Sequence, residues 1–343
     1  MNVIDIYDLQ NYAVGDNWLP AFNQALTDLG PNGGVITNRT GTVQQFRIDG
    51  TLDITTQVVI DLGCNNNGSA TVGSFLYSTT NAPVLHYPTT SNRFVQLRNI
   101  SIIGHADAGT NQHAIVVANG GLWLDGCTIR EMGGNGLEVQ NSYCGNYKRA
   151  YISLCKGNGI HVNGNVGANY WEGISCAGNQ MNGTYLESMD GSDMFVAMGN
   201  EQSGQWGIRL GSTVKGCEWR FAYSELNACG PLRFETGSEE NHVNFASYGW
   251  SEPLNIAVDL RNGIRNSYDG REKDKSRRYM LAGRVGFGQI DNPAGALDIE
   301  GGLHVAGWQA ISWQGNTIKF GGINSSEWTA AQMMANGVVK ANW

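Results

Sequence analysis

Short phrases in which apolar and polar residues alternate recur along the middle of the chain at a nearly fixed interval. NGLEV begins at Asn135, NGIHV at Asn158, NGTYL at Asn182, WGIRL at Trp206, GPLRF at Gly230 and LNIAV at Leu254. The aligned positions are Leu137, Ile160, Thr184, Ile208, Leu232 and Ile256, spaced by 23, 24, 24, 24 and 24 residues. Alternation with period two is the mark of a strand, with Ile160 and Val162 facing one way and His161 and Asn163 the other. A repeat of this length is one coil of a solenoid, whose apolar face is covered by the next coil. Leucine-rich and tetratricopeptide patterns are absent, and the Asn, Gly, Thr and Ser that fill the coils disfavour helix. The pattern predicts an all-β chain, a right-handed single-stranded parallel β-helix over residues 35–263, with its most regular coils in 121–259.

Two more registers repeat at 24 residues: Trp171, Phe195, Trp219 and Val243, then Gly173, Ala197, Phe221 and Phe245. Both are expected as interior ladders, so Phe221→Ala is expected to cost about 3–5 kcal/mol. The pairs Asn135-Gly136, Asn158-Gly159 and Asn182-Gly183 predict a corner held by residues tolerant of positive φ.

The ends read differently. Residues 1–34 predict a short strand and loop, then an end-covering helix over 18–29, with Asp16 or Asn17 as its cap and Pro20 in its first turn. Ala21, Phe22, Ala25, Leu26 and Leu29 make one apolar stripe at helical spacing. Strands over 35–99 are present but less periodic. Residues 264–278 are charged and poor in aliphatics, which predicts a polar linker or loop. Residues 279–343 predict a small β-rich region ending in a short helix over 326–335. Four tryptophans (Trp308, Trp313, Trp328 and Trp343) in so small a piece imply burial against another chain or the helix end.

Composition narrows the function. Among 343 residues, 47 are glycine without a collagen-like period, an excess that turns absorb. A formal charge of −8 and the lack of a basic face argue against nucleic-acid binding. There is no 18-residue apolar run for membrane insertion and no basic-plus-apolar secretory start. Seven cysteines form an odd set without a CxxC pair; Cys127, Cys155 and Cys176 fall in strand registers and predict buried thiols rather than disulfides or a zinc site. That usage fits assembly in a reducing cytoplasm. His86, His105 and His113 have no metal-ligand spacing, and neither a metal nor a cofactor is expected.

The strand register also locates candidate chemistry. One outward row reads Glu138, His161, Tyr185, Arg209, Arg233 and Ala257; a second, two residues on, reads Gln140, Asn163, Glu187, Gly211, Glu235 and Asp259. Glu138, His161, Tyr185, Arg209 and Arg233 have the chemistry to bind an extended, acidic glycan through charge-assisted hydrogen bonds and ring stacking. The bland alternative is that these charges pair with one another on a solvated sheet. Hydrolysis needs two carboxylates at a defined separation. Glu187 and Glu235, two coils or about 9.6 Å apart along the backbone, suit an inverting pair. Asp259, expected one coil from Glu235, is the third candidate and would suit a retaining pair. Glu172, Asp190, Asp193, Glu201, Glu218, Glu225, Glu239 and Glu240 stay open as alternatives. Elimination would instead need a base and a group that neutralises a uronic acid, for which Arg209, Arg233, Lys215 or His161 would serve. A GxSxG nucleophile is absent.

Two resemblances add to this. Val3, Gly15-Asp16, Ala21-Phe22, Ala25-Leu26 and Gly33-Gly34-Val35-Ile36 resemble the entrance of pectate-lyase-like β-helix proteins, although Asn17-Trp18-Leu19-Pro20 replaces the usual acidic residues and Thr. The phrase from Asn292 to Leu303, NPAGALDIEGGL, is similar to one found in bacteriophage tail fibres and tailspikes, often near a trimerising segment. The resemblance implies a homotrimeric phage receptor-binding protein, attached to other virion tail proteins, whose β-helix binds and commonly depolymerises a bacterial surface polysaccharide such as capsule or O-antigen. It transfers no catalytic residue. A non-catalytic glycan-binding fibre, a polysaccharide lyase and a structural virion β-helix are the competing readings.

Overall fold

The coil that begins at Asn146 shows how the sequence makes one turn. Asn146–Ser153 runs as a strand with Tyr147 and Ile152 buried and bends at Arg149, whose φ is 49°. Leu154, at φ 58°, turns the chain again, and Ile160–Asn163 forms the next strand with Ile160 and Val162 buried. Ala168, at φ 55°, leads into Tyr170–Glu172 of the following coil. Each strand then pairs in parallel with its equivalent one coil on: Tyr147 with Trp171, Ile152 with Cys176, Ile160 with Thr184.

The computed structural model describes residues 2–39, 45–63, 74–88, 95–189 and 193–248, and beyond these Asn266 and the strands Ile256–Asp259, Ser267–Glu272, Arg278–Met280, Gly302–Val305, Trp308–Gln314, Thr317–Phe320, Ala331–Met334 and Val339–Lys340. Stacking of the coils makes a parallel β-helix. One sheet runs through Asn2–Asp5, Gly34–Thr37, Val58–Asp61, Val95–Arg98, Leu122–Arg130, Asn146–Ser153, Tyr170–Glu172, Met194–Val196 and Glu218–Glu225. A second runs from Leu52–Asp53 through Leu137–Val139, Ile160–Asn163, Thr184–Ser188, Trp206–Leu210 and Gly230–Phe234 to Arg278–Met280.

The first expected ladder lies inside. Tyr147, Trp171, Phe195 and Trp219 are fully buried and stack ring on ring, with centroids 3.9, 5.4 and 4.0 Å apart. The second expected ladder does not. Gly173, Ala197 and Phe221 have φ of 61°, 52° and 55°, and Phe221 is 73% exposed. They form the corner at which the strand bends, so alternation cannot be counted through them; Ala222 takes the inward place and pairs with Phe245. Another corner is a column of left-handed residues, Glu131, Leu154, Gly178, Gln202 and Leu226. A non-glycine residue there costs roughly 1–2 kcal/mol, so the stacking of neighbours imposes the bend.

The Asn-Gly pairs serve otherwise than expected, since none has positive φ. Their asparagines form a buried ladder along the coil axis. The Asn135 side-chain oxygen accepts the Asn158 backbone N–H at 2.7 Å, that of Asn158 accepts from Asn182 at 3.1 Å, and that of Asn182 accepts from Trp206 at 3.2 Å. A Cβ at Gly136 would stand 2.3 Å from the Ile152 side chain, so glycine is there for close packing.

At the N-terminus Asn2–Asp5 pairs with Gly34–Thr37 as the first rung, and a 3-10 helix, Ile6–Tyr12, follows where a loop was expected. The helix is Leu19–Leu29; the Asn17 side-chain oxygen accepts its first N–H at 3.1 Å, and the predicted stripe is its buried face. Phe22 meets Phe46 edge-on at 5.7 Å. Within 264–278, read as linker or loop, Ser267–Glu272 pairs in parallel with His242–Tyr248, and Arg278–Met280 pairs with Ile256–Asp259. Coil-to-coil pairing gives these polar residues a ladder that composition alone does not announce.

The chain divides into two units, Met1–Val285 and Gly286–Trp343. In the second, the five strands from Gly302–Val305 to Val339–Lys340 pair antiparallel in sequence order. Ala331–Met334 is a strand where part of a helix was expected: its pairing with Thr317–Phe320 outweighs local helix preference. Trp328 and Trp343 lie outside the described residues.

Cys127, Cys155, Cys176 and Cys217 are buried, and burial pushes the Cys155 thiol up to about 12. Cys144 is exposed, Cys229 half-buried, and Cys64 outside the described residues.

Candidate functional site

Because Ile160, Val162, Leu186, Ile208, Leu210, Leu232 and Phe234 point into the core, the residues between them face outward and stack into one row. In successive coils it reads Asp53, His86, Val116, Glu138, His161, Tyr185, Arg209 and Arg233, each backbone paired with the next. It begins earlier than the sequence repeat suggests, and His86 Nδ1 meets an Asp53 carboxylate oxygen at 2.7 Å.

The Asp259 backbone pairs with that of Arg233, and not with that of Glu235, as the repeat implied. The last interval is 26 residues, from Leu232 to its partner Val258, and the two extra residues displace the phrase after Leu254. The expected one-coil Glu235–Asp259 pair is therefore not formed.

The upper part of the strip is a chain of hydrogen bonds. Glu138 is buried, with its side chain 8% exposed, and accepts from Asn135 Nδ2 at 2.7 Å. The same oxygen lies 2.8 Å from His161 Nδ1, while His161 Nε2 lies 2.9 Å from Glu187 Oε2. Glu187 reaches back because it is the extra residue of a bulge: Val162 pairs with Leu186 but Asn163 with Ser188. The Glu187 side chain is 46% exposed, so the chain runs from the interior to the surface. Burial pulls the His161 pKa down, but hydrogen bonds and charge from Glu138 and Glu187 outweigh it, and the net direction is up. Burial lowers His113, against the charge of Glu138; its Nδ1 accepts the Asn135 N–H at 2.9 Å.

The lower part is aromatic and cationic. Tyr185 stacks on His161 with ring centroids 5.3 Å apart, and the Arg209 guanidinium lies 4.5 Å from the Tyr185 ring centre. Arg209 Nε donates to Glu235 at 2.7 Å, and a second guanidinium nitrogen reaches the same oxygen. Arg233 lies over the Trp206 ring at 5.6 Å. Aromatic and guanidinium surfaces packed this way hold one another in place.

Between the two carboxylates sits a residue without a side chain. Gly211 N donates to Leu186 O at 2.6 Å and Glu235 N donates to Leu210 O at 2.8 Å, which places Glu187, Gly211 and Glu235 beside one another in three successive coils. A Cβ on Gly211 would stand 2.2 Å from the Glu187 carbonyl oxygen. The glycine is buried and is needed for this close approach, and the residues that carry the two carboxylates are two coils, or about 9.6 Å, apart along the backbone.

Of the five residues expected to bind substrate, the structure brings His161, Tyr185, Arg209 and Arg233 together on the surface and places Glu138 beneath His161. Asn135, His113 and Trp206 were missed. The recurrence of Asn135, Asn158 and Asn182 three residues before each outward position was a usable signal for the first. Among the other open carboxylates, Glu172, Glu201, Glu218 and Glu225 lie on the other sheet, Asp193 is buried, and Asp190 is outside the described residues.

No protein-family model matches the sequence, and no curated protein matches it. Solved structures do match. One is the ORF18 protein of Geobacillus virus E2, 12% identical, covering 99% of this chain and 75% of that one at a TM-score of 0.50. Another is the phiAB6 tailspike in complex with three-repeated oligosaccharides of Acinetobacter baumannii surface polysaccharide, 14% identical, covering 99% of this chain and 56% of that one at 0.48. A third is the A-module of a mannuronan C-5 epimerase from Azotobacter vinelandii, 10% identical, covering 82% and 100% at 0.46. At these identities the likeness is one of fold, and the chain shares its parallel β-helix with the Geobacillus virus protein.

Proposed function

We propose that this chain is a phage tailspike-type receptor-binding protein that holds an extended bacterial surface polysaccharide along the strip from His161 to Arg233 and hydrolyses it between Glu187 and Glu235. The observation that carries the reading is the pair of carboxylates in one register, Glu187 and Glu235, two coils apart on either side of Gly211 and beside Tyr185 and Arg209. Two carboxyl groups roughly 6.5–9.5 Å apart leave room for a sugar and a water, the arrangement of an inverting glycosidase. Arg209 meets Glu235 through one carboxylate oxygen, and Glu235 would take a proton from water. Arg209 and Arg233 would meet acidic groups of the glycan, and Tyr185 a sugar face. The C-terminal phrase from Asn292 to Leu303 supports the assignment to a virion tail and the homotrimer.

The test uses the full chain and a panel of purified capsular and O-antigen polysaccharides, with release of reducing ends as readout. Cleavage of at least one, lost in Glu187→Gln and in Glu235→Gln, is expected. Equal rates for wild type and Glu235→Gln would remove Glu235 from the mechanism. Tight binding without product would favour a non-catalytic fibre. Ultraviolet-absorbing unsaturated ends would show a lyase.

A further inference from the structure

The two carboxylates flanking Gly211 are not equivalent, and the difference lies in what stands behind each. Behind Glu235 is Arg209, whose guanidinium stays charged at any working pH and has no proton to give. Behind Glu187 is His161, which holds an exchangeable proton. His161 is itself backed by Glu138, a buried carboxylate fixed by Asn135. We infer that Glu138, His161 and Glu187 form a proton relay in which His161 supplies the proton that Glu187 delivers, making Glu187 the acid arm and Glu235 the base arm of the site. The inference rests on the proposed hydrolysis and assigns the direction of proton flow within it.

The step balances without any added reactant. As His161 Nε2 passes its proton to the Glu187 carboxylate, Glu187 gives a proton to the glycosidic oxygen and the bond from that oxygen to the anomeric carbon breaks. Water attacks the anomeric carbon from the opposite side and gives a proton to Glu235. The relay has then lost one proton and Glu235 has gained one; exchange with solvent restores both. His161 acts through Glu187, and Glu138 acts through His161, so both are positioning residues. The groups that face His161 are Glu138 and Asn135 from the preceding coil, His113 from the coil before, and Tyr185 and Glu187 from the following one. The carboxylate on each ring nitrogen stabilises the imidazolium with both N–H bonds used.

The experiment follows two readouts on the full chain. Ring-nitrogen NMR of protein labelled with nitrogen-15 histidine reports the protonation of His161 against pH, assigned by its loss in His161→Gln. Reducing-end release from the polysaccharide that wild type cleaves best gives the pH–rate profile. In wild type the alkaline limb of that profile should coincide with the titration of His161. Glu138→Gln keeps the size of the side chain but removes its charge; it should lower the His161 titration and move the alkaline limb down by the same interval, with binding of the same polysaccharide within about threefold. His161→Gln should lose about 100-fold or more in rate. An alkaline limb that stays put while the His161 titration moves would overturn the relay and leave hydrolysis standing. An unmoved titration in Glu138→Gln would overturn it as well. Absence of reducing ends from every polysaccharide in wild type would remove the hydrolysis, and the relay's role with it.

Discussion

The indole N–H of Trp171 donates to the carboxylate of Asp193 at 2.9 Å inside the β-helix. Asp193 also accepts the Asn169 backbone N–H at 2.8 Å; one coil earlier Asn169 does the same for Gly145 at 2.6 Å and two coils later Asn241 does so for Cys217 at 3.0 Å, so Asp193 takes a part that asparagine plays elsewhere in the column. Asp193→Ala leaves two buried donors without acceptors, at about 1–3 kcal/mol each. Chemical denaturation should show a loss of about 2–6 kcal/mol. Burial raises the Asp193 pKa, against the hydrogen bonds from Trp171 and Asn169. The folded state then binds the proton more tightly than the unfolded state, and stability falls as pH rises between the two pKa values. Asp193→Asn should flatten the melting temperature across that interval, and an unchanged slope would refute the assignment.

The two 24-residue registers that look alike in sequence should respond oppositely. Phe195 lies between Trp171 and Trp219 with no exposure, and Phe195→Ala should cost about 3–5 kcal/mol. Phe221 is exposed and left-handed, so Phe221→Gly should stabilise by about 1 kcal/mol through relief of backbone strain. Calorimetry of the two variants decides this, and destabilisation by Phe221→Gly would contradict the corner.

The contrast shows what the sequence carries. Inward positions such as Leu137, Ile160, Ile208 and Leu232 were legible because every coil must cover the next, which forces an apolar residue at a constant spacing. The outward row was legible by subtraction, and His161, Tyr185, Arg209 and Arg233 came with it. The left-handed corners were not, since Phe221 and Leu226 are held there by stacking and nothing in a phenyl or isobutyl group signals positive φ. Glu187 was found as a residue, but its bulge, and so its hydrogen bond to His161, depends on one extra residue that the repeat length does not reveal. Asp259 was misplaced for the same reason, by two residues in one interval.

Gly211 allows a direct test of the spacing between Glu187 and Glu235. Gly211→Ala puts a methyl group 2.2 Å from the Glu187 carbonyl oxygen, so the two strands must move apart. The variant should melt at lower temperature, by about 1–3 kcal/mol of overpacking, and glycan cleavage should fall more than glycan binding. Unchanged cleavage would show that the space between Glu187 and Glu235 is not where the bond is broken.

Arg209 joins the Tyr185 ring to Glu235, and Arg209→Met should affect both. Losing the cation over the ring and the charge beside the carboxylate should weaken binding of an acidic polysaccharide by about 10-fold, roughly 1.4 kcal/mol. Titration calorimetry at two salt concentrations would show the wild-type salt dependence reduced in the variant. Equal affinity at both salts would mean that Arg209 serves Glu235 alone.

His161 and His113 give stability opposite slopes against pH. The folded pKa of His161 is raised, so its contribution is fully present below the unfolded value of about 6.5 and is lost as pH rises through the folded pKa. The folded pKa of His113 is lowered, chiefly by burial, so the folded state disfavours its protonation and stability falls as pH drops from about 6.5 through the folded pKa. Between them, these two residues place a stability maximum near neutral to slightly acidic pH. His161→Gln should remove the alkaline decline and His113→Gln the acid one, each measured as denaturation midpoint against pH. If the alkaline decline survived in His161→Gln, the bridge from Glu138 to Glu187 would not be holding a proton in the folded protein.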